Sequence, residues 1–212
     1  LLHSFSDDFD DDQDARTIDL VLDTSGRIVV QSAWNAGRVL SRYDELGDLD
    51  TSFGVGGRQV VEDANGFSMS RAYIGVDAAD RVVVSGWSTD ATTVLRRYDD
   101  ALDEDLPLPN GWTFYEAQAG PVAVDSQGRL LVSLWVGTAA DWDVTVARYT
   151  TAGSLDTSFG TSGVAAIFDD GNRDRPGPLA VDGQDRVVSA LVGTDAGPPY
   201  YARDVLVRWL GN

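Results

Sequence analysis

The stretch LVLDTSGRIVV at residues 20–30 places a D-x-x-G-R segment between two short aliphatic runs. In such a segment the Asp side chain can accept hydrogen bonds from the turn backbone, and Gly or Asp tolerates a positive φ. The flanking runs are rich in Val, Ile and Leu, which favour strands. The stretch therefore predicts a β-hairpin with Asp23 as the turn acceptor.

This hairpin pattern recurs along the whole chain. It returns as IGVDAADRVVV at 74–84, VAVDSQGRLLV at 122–132 and LAVDGQDRVVS at 179–189. The four turn aspartates are Asp23, Asp77, Asp125 and Asp182. A repeat of about 50 residues is typical of a fold built from stacked supersecondary units.

Two further motifs follow the hairpins. One has an Arg followed by Tyr or Trp, and its arginines, Arg42, Arg97, Arg148 and Arg208, are predicted to bridge neighbouring units. The other is LDTSFG at 49–54 and 155–160, where Phe53 and Phe159 are predicted to plug the core. The second unit has LDEDLP at 102–107 in that place, and in the fourth unit the chain ends before reaching it.

The pattern predicts an all-β, four-bladed β-propeller. Helical periodicity is not evident, and runs such as 81–84 are apolar on both faces, as in strands covered on both sides. Units of four strands that cannot bury both faces alone stack around an axis. We therefore expect one domain over residues 1–212, with units at about 17–66, 67–120, 121–174 and 175–212 plus 1–6.

The two ends of the chain supply complementary parts of one repeat unit. LLHSF at 1–5 occupies the place of a fourth strand, and residues 204–210 form a third strand without a fourth. Pairing the two would close the ring and remove two strand edges. Two alternatives stay open: a portion of a longer array, which fits a chain that begins at Leu1 without Met, and two chains joined in an eight-bladed ring.

The composition excludes several classes of protein. Asp and Glu total 34 against 16 basic residues, and the net charge of −18 repels nucleic acids and anionic lipid surfaces. There is no Cys and one His, so disulfides, thiolate metal sites and ordinary catalytic triads are ruled out. No apolar run approaches the roughly 18 residues of a membrane span.

An Asp-rich loop at the start of the chain predicts a calcium site. Asp8, Asp10, Asp12 and Asp14 alternate as the first ligands of a calcium loop do, and Asp19 falls at the twelfth position. The equivalent loop of the third unit offers a second set, Asp170, Asn172 and Asp174. A solvated acidic loop is the alternative, because the template's central Gly and final Glu are both missing.

Aromatic residues indicate a ligand site on the face formed by the variable loops. Trp142, between Asp141 and Asp143, is predicted to be exposed in an extended loop, near Tyr200 and Tyr201 of the fourth unit. Packing against neighbouring loops is the alternative. Three other tryptophans, Trp34, Trp87 and Trp135, are assigned to core packing, with stacking on a sugar ring as the alternative. The segment containing Trp112, Phe114 and Tyr115 is predicted to form the outer strand of the second unit.

The motifs VD-x-x-GR-x-VV, RY and LDTSFG together resemble the delta-60 repeat family over essentially the whole chain. The resemblance implies a bacterial β-propeller domain in a secreted or cell-surface protein. The second and fourth units depart from the family pattern at the third motif. The family carries no established activity to transfer.

These observations predict a monomeric, non-catalytic binding or scaffold module outside the cell. Its ligand, a glycan or a protein, would lie on the acidic loop face, with calcium as a candidate cofactor. One alternative is a carbohydrate-active enzyme that uses two Asp carboxylates. Another is a structural spacer in a larger surface protein.

Overall fold

The computed structural model consists of strands and turns, with no helix among the residues it describes. Those residues are 16–34, 37–62, 69–88, 93–99, 103–106, 117–137, 142–168, 174–194 and 202–209. None of them forms a helix long and apolar enough to cross a membrane.

The strands form four antiparallel sheets, and within each sheet they follow chain order. The first sheet contains β1 (Arg16–Leu22), β2 (Ile28–Trp34), β3 (Gly37–Tyr43) and β4 (Arg58–Val61). The second contains β5 (Met69–Val76), β6 (Val82–Ser88), β7 (Thr93–Tyr98) and β8 (Asp103–Asp105). The third contains β9 (Ala117–Val124), β10 (Leu130–Gly137), β11 (Trp142–Tyr149) and β12 (Val164–Phe168). The fourth contains β13 (Arg175–Val181), β14 (Val187–Thr194) and β15 (Ala202–Trp209).

Four sheets agree with the four sequence units. The unit boundary expected at about 120/121 falls inside β9 (Ala117–Val124), so the third sheet begins a few residues before it. Among the described residues, the outermost strand of the second sheet is β8, in the LDEDLP motif. The segment around Trp112 lies outside them, so its role as an outer strand stays a prediction. Residues 1–6 also lie outside them, so pairing of that segment with β15 stays a prediction.

Neighbouring sheets pack through separate hydrophobic cores. Val29, Leu40 and Phe53 of the first sheet meet Val84 of the second in one core. A second core joins the second and third sheets, and a third joins the third and fourth sheets. Alternation along the strands explains this, since Val82 and Val84 face one neighbour and Val83 the other. Both faces of the second sheet and of the third sheet are therefore covered, as the apolar runs predict.

The first strand of each sheet borders one central cavity. β1 contacts β5, β5 contacts β9, and β9 contacts β13. All four strands line a cavity of about 350 Å³ through Asp19, Tyr73, Val122 and Leu179, among others. This places the four sheets side by side around a shared space, which we call the axial cavity.

The hairpin turns also connect neighbouring sheets. Asp80 of the second sheet accepts hydrogen bonds from Thr24 and Ser25 of the first. Asp185 of the fourth sheet accepts them from Ser126 of the third. Between the second and third sheets the contact is apolar and tight, because a Cβ added to Gly128 would lie 2.6 Å from the Ala78 Cβ.

Candidate functional site

At the turn end of the sheets, the four turn aspartates hold their hairpins in the predicted way. Asp23 Oδ1 accepts hydrogen bonds from the backbone N–H of Ser25 and of Arg27, both at 2.9 Å, while Oδ2 accepts one from Arg27 Nε. Asp77, Asp125 and Asp182 repeat this geometry. The residue three positions later has a positive φ in each turn, whether Gly, as at Gly26, or Asp, as at Asp80. The structural role predicted for these aspartates is confirmed.

The LDTSFG segments carry a second set of structural carboxylates at the same end. Asp50 Oδ1 accepts a hydrogen bond from the Ser52 hydroxyl at 2.6 Å, and Oδ2 accepts one from Arg42 Nε at 2.8 Å. The hydrogen bond from Ser52, together with Arg42, lowers the pKa of Asp50. Asp156 is arranged identically, with Ser158 and then Arg148 lowering its pKa. Phe53 and Phe159 are buried under these segments, as predicted.

The prediction that the repeated arginines bridge neighbouring units is confirmed at Arg97 and was wrong at Arg148 and Arg208. Arg97 donates to the Thr151 and Ala152 carbonyls of the third sheet. Arg42 and Arg148 instead bind the Asp and Ser of the LDTSFG segment in their own units. Arg208 lies 3.8 Å from Asp182 of its own sheet. The second unit lacks the DTSFG acceptors, which explains why Arg97 donates to carbonyls of the next sheet instead.

The opposite end of the sheets, where the variable loops lie, contains a cavity of about 210 Å³. We call it the loop-end pocket. It is lined by Arg71, Tyr73, Trp87, Gln118, Ala119, Trp135, Arg175 and Pro176. These residues come from β5, β6, β9, β10 and β13, so three successive sheets build the pocket. Tyr73 and Pro176 also line the axial cavity, so the two cavities share part of their walls.

Strand register explains the pairing of polar and aromatic side chains in this pocket. Arg71 lies opposite Trp87 in the β5/β6 ladder, and its guanidinium carbon is 5.2 Å from the centre of the indole ring. Gln118 lies opposite Trp135 in the β9/β10 ladder. Cross-strand neighbours on one face are close enough to interact directly. Each of the two sheets therefore presents one polar group and one indole to the same space.

Two arginines in the pocket differ from the arginines at the turn end. Arg71 and Arg175 are exposed, and within the described part of the chain neither forms an ion pair. The hairpin arginines, by contrast, each bind the aspartate of their own turn. Guanidinium groups are planar donors that recognise carboxylates and phosphates in a bidentate manner. The loop-end pocket thus has two such donors available.

The axial cavity holds one carboxylate among the described residues that line it, that of Asp19. Asp19 Oδ1 accepts a hydrogen bond from the Leu20 backbone N–H at 2.9 Å. The rest of the lining is largely apolar, with three prolines and Ile74, Val122 and Leu179.

Of the residues predicted for ligand binding, Trp142 and Asp143 lie in the described part of the structure. Trp142 was predicted to be exposed in a loop, and this was wrong: it is the first residue of β11 and is half-buried. Its indole packs against that of Trp135, with ring centres 4.9 Å apart. Asp143 follows it in the strand and is also half-buried. Asp141, Tyr200 and Tyr201 lie outside the described residues.

Of the residues predicted to bind calcium, the structure describes Asp174 alone. Its side chain is completely buried, and its backbone N–H donates to the Trp142 carbonyl at 2.9 Å. The other candidate ligands, Asp8, Asp10, Asp12, Asp14, Asp170 and Asn172, lie outside the described residues. Within the described ranges there is no cluster of three or more acidic or His residues that could hold a metal ion. Calcium binding stays a prediction.

The sequence interpretation missed the pocket residues. Trp87 and Trp135 were assigned to the core, but both are half-buried and line the loop-end pocket. Arg71 and Arg175 belong to no motif. A signal was present for Arg71, because the register set by the Asp77 turn places it opposite Trp87.

No protein-family model matches the chain, and no curated protein sequence matches it. Several solved structures resemble it. A Dyadobacter fermentans protein of unknown function is 13% identical, with a TM-score of 0.48 over 88% of this chain and 58% of that one. The Cellvibrio cellulosa alpha-L-arabinanase is 10% identical, with a TM-score of 0.46 over 89% of this chain and 71% of that one. The endo-1,5-alpha-L-arabinanase of Thermotoga petrophila is also 10% identical, with a TM-score of 0.46 over 89% and 54%.

Proposed function

We propose that this chain is a four-bladed β-propeller of the delta-60 repeat type that acts outside the cell as a non-catalytic binding module. The fold proposal is supported by four repeat-encoded sheets whose first strands line one axial cavity. The extracellular location rests on the resemblance of the motifs. Ligand binding is assigned to the loop end of the sheets.

One observation carries the binding function: two indoles and two guanidiniums from three sheets converge on the loop-end pocket. Concave sites with aromatic walls and a few convergent polar groups are the usual form of a ligand site. At the turn end, by comparison, the repeated Asp and Arg side chains bond to one another and to the backbone. The turn end of the sheets thus has a structural role, and the loop end is the ligand-binding end.

Asp19 favours a second candidate function, that of a carbohydrate-active enzyme. Its carboxylate lines the axial cavity next to the loop-end pocket through the shared residues Tyr73 and Pro176. Glycoside hydrolysis in its common form needs two carboxylates that flank the scissile bond. The described lining of the two cavities supplies one, which favours the binding module over the enzyme.

A glycan panel separates the two functions. The purified chain is tested for binding by calorimetry and for release of reducing ends. The binding module predicts binding without turnover, weakened in Trp87→Leu and unchanged in the control Trp209→Phe, whose indole packs on Phe159 away from the pocket. Turnover that is lost in Asp19→Asn would establish the enzyme instead. A spacer without a ligand would bind nothing in the panel.

A further inference from the structure

The two arginines of the loop-end pocket stand out in an acidic protein. The chain has a net charge of −18, and its hairpin arginines are paired with aspartates. Arg71 and Arg175 come from different sheets and line the same cavity without an ion pair among the described residues. Two like charges beside one cavity repel each other, and an anion bound between them would attract both and offset this repulsion.

The rest of the pocket wall is uncharged and largely aromatic, which limits the kind of anion that fits. Trp87 and Trp135 supply flat apolar surfaces, and Tyr73 and Gln118 add groups that can donate and accept hydrogen bonds. A ligand that suits the whole pocket therefore needs a ring with an apolar face, several hydroxyls and one negative group. A sugar that bears a carboxylate has all three.

We propose that the loop-end pocket binds a uronic acid unit, with its carboxylate on Arg71 and Arg175 and its ring against Trp87 or Trp135. The proposal rests on the binding function proposed above and names its ligand class. The cavity volume of about 210 Å³ is below the roughly 300–1,000 Å³ of pockets for drug-sized molecules, which fits one sugar ring.

Charge and shape favour this ligand over other anions. A net charge of −18 repels polyanions at long range, whereas a single carboxylate has little charge to be repelled. A carboxylate on a peptide side chain would satisfy the guanidiniums but has no ring to place against the aromatic wall of the pocket. A neutral sugar would cover the indoles but leave the guanidiniums without their anion.

The test compares three probes: methyl glucuronide, methyl glucoside and N-acetylglutamate. Calorimetry and indole fluorescence measure binding to the complete chain and to the variants Arg175→Gln and Arg71→Gln. Arg208→Gln is the matched control, because its guanidinium is about half-exposed and lies at the turn end near Asp182. Circular dichroism and the melting temperature verify that each variant is folded.

We expect the glucuronide to bind most tightly, and each pocket variant to weaken it by at least about tenfold, since hydrogen bonds to charged groups are the stronger class. The control variant should leave its affinity unchanged, and Arg175→Lys should give an intermediate value because charge is kept and the planar fork is lost.

Several results would overturn the assignment. Equal affinity for glucoside and glucuronide, lost in Trp87→Leu, would contradict the carboxylate site while leaving the binding function intact. Preference for N-acetylglutamate would point to a peptide. Failure of all three probes alongside binding of another glycan would overturn the uronic acid alone. Absence of binding throughout the panel would overturn both proposals.

Discussion

The carboxylate of Asp80, in the hairpin turn of the second sheet, accepts hydrogen bonds from the backbone N–H of Thr24 at 2.8 Å and from its hydroxyl at 2.7 Å. Thr24 belongs to the turn of the first sheet. Ser126 and Asp185 make the corresponding contact between the third and fourth sheets. Between the second and third sheets, Gly128 packs on Ala78 instead. Contacts between neighbouring turns therefore alternate in chemistry.

Replacing Asp80 with Asn should loosen the contact between the first two sheets. Asn tolerates the positive φ of 62° at this position, so the change removes the charge and replaces one of the two acceptor oxygens by an NH2 donor. We expect a loss of about 1 kcal/mol in the free energy of unfolding. Denaturant unfolding measures it, with Glu45→Gln as an exposed control. Equal stability of Asp80→Asn and wild type would contradict the role of this contact.

The LDTSFG aspartates should make stability depend on pH in acid. Ser52 and Ser158 hydroxyls, helped by Arg42 and Arg148, lower the pKa of Asp50 and Asp156 in the folded state. The unfolded chain then binds more protons, so the free energy of unfolding falls as the pH drops. The loss begins near the unfolded pKa of about 3.9 and continues through the lower folded values.

The double variant Ser52→Ala, Ser158→Ala tests this pH dependence. It should be less stable at neutral pH and should lose less stability between pH 5 and pH 2, because the folded pKa values move back toward the unfolded one. Urea unfolding across this range gives the slope. Ser154→Ala, at an exposed position, is the control. Parallel curves for the double variant and wild type would argue against the proposed cause.

The glycine of LDTSFG should tolerate no side chain. At Gly54, φ is +54° and an added Cβ would overlap the Arg58 carbonyl oxygen. At Gly56, φ is similar, +59°, but nothing lies within 4 Å of the added Cβ. We expect a cost of roughly 2–5 kcal/mol for Gly54→Ala, against about 1 kcal/mol for Gly56→Ala. Thermal unfolding compares the pair, and similar costs would contradict the overlap.

Calcium should raise the melting temperature if the acidic loops bind it. Ligand binding stabilises the folded state by about 2.7 kcal/mol when the free ligand is at 100 times its Kd. We expect the rise to be reversed by EDTA and to be absent in the double variant Asp8→Asn, Asp10→Asn. Differential scanning calorimetry with calcium, magnesium and EDTA measures it. Equal melting temperatures in all three solutions would rule out the site.

The chain is expected to be a monomer, although some leucines are exposed. Leu20 and Leu22 of β1 are 59% and 60% exposed, and Leu206 of β15 is 75% exposed. Single exposed apolar residues are common on soluble proteins. Sedimentation equilibrium should therefore give one copy, for wild type and for Leu206→Lys alike. A dimer that Leu206→Lys dissociates would favour the joined ring of two chains.

Local features were predictable from the sequence because their partners lie within a few residues. The Asp23 turn needs only the N–H groups of Ser25 and Arg27, so the motif itself contains the whole interaction. The same locality explains why the burial of Phe53 under its own LDTSFG segment could be predicted. The repeat supplied what no single hairpin could, namely the number of sheets.

Features that depend on contacts between sheets were harder to predict. Trp87 and Trp135 lie near the ends of β6 and β10, where a strand face leaves the core and borders the loop-end pocket. The alternation of side chains along a strand predicts on which face of the sheet a residue lies, but not which residues pack on that face. Arg175 reaches the same pocket from another sheet, and no spacing in the chain encodes that meeting. Trp142 was misplaced because β11 begins earlier than its polar flanks indicate.

Because the turn contacts alternate between polar and apolar, their pattern repeats every two sheets. Removing the second sheet would set Thr24 against Gly128, which has no carboxylate to offer, whereas removing the second and third sheets would set Thr24 against Asp185. Variants in which two successive sheets are added or removed should therefore fold more readily than variants in which one sheet is added or removed.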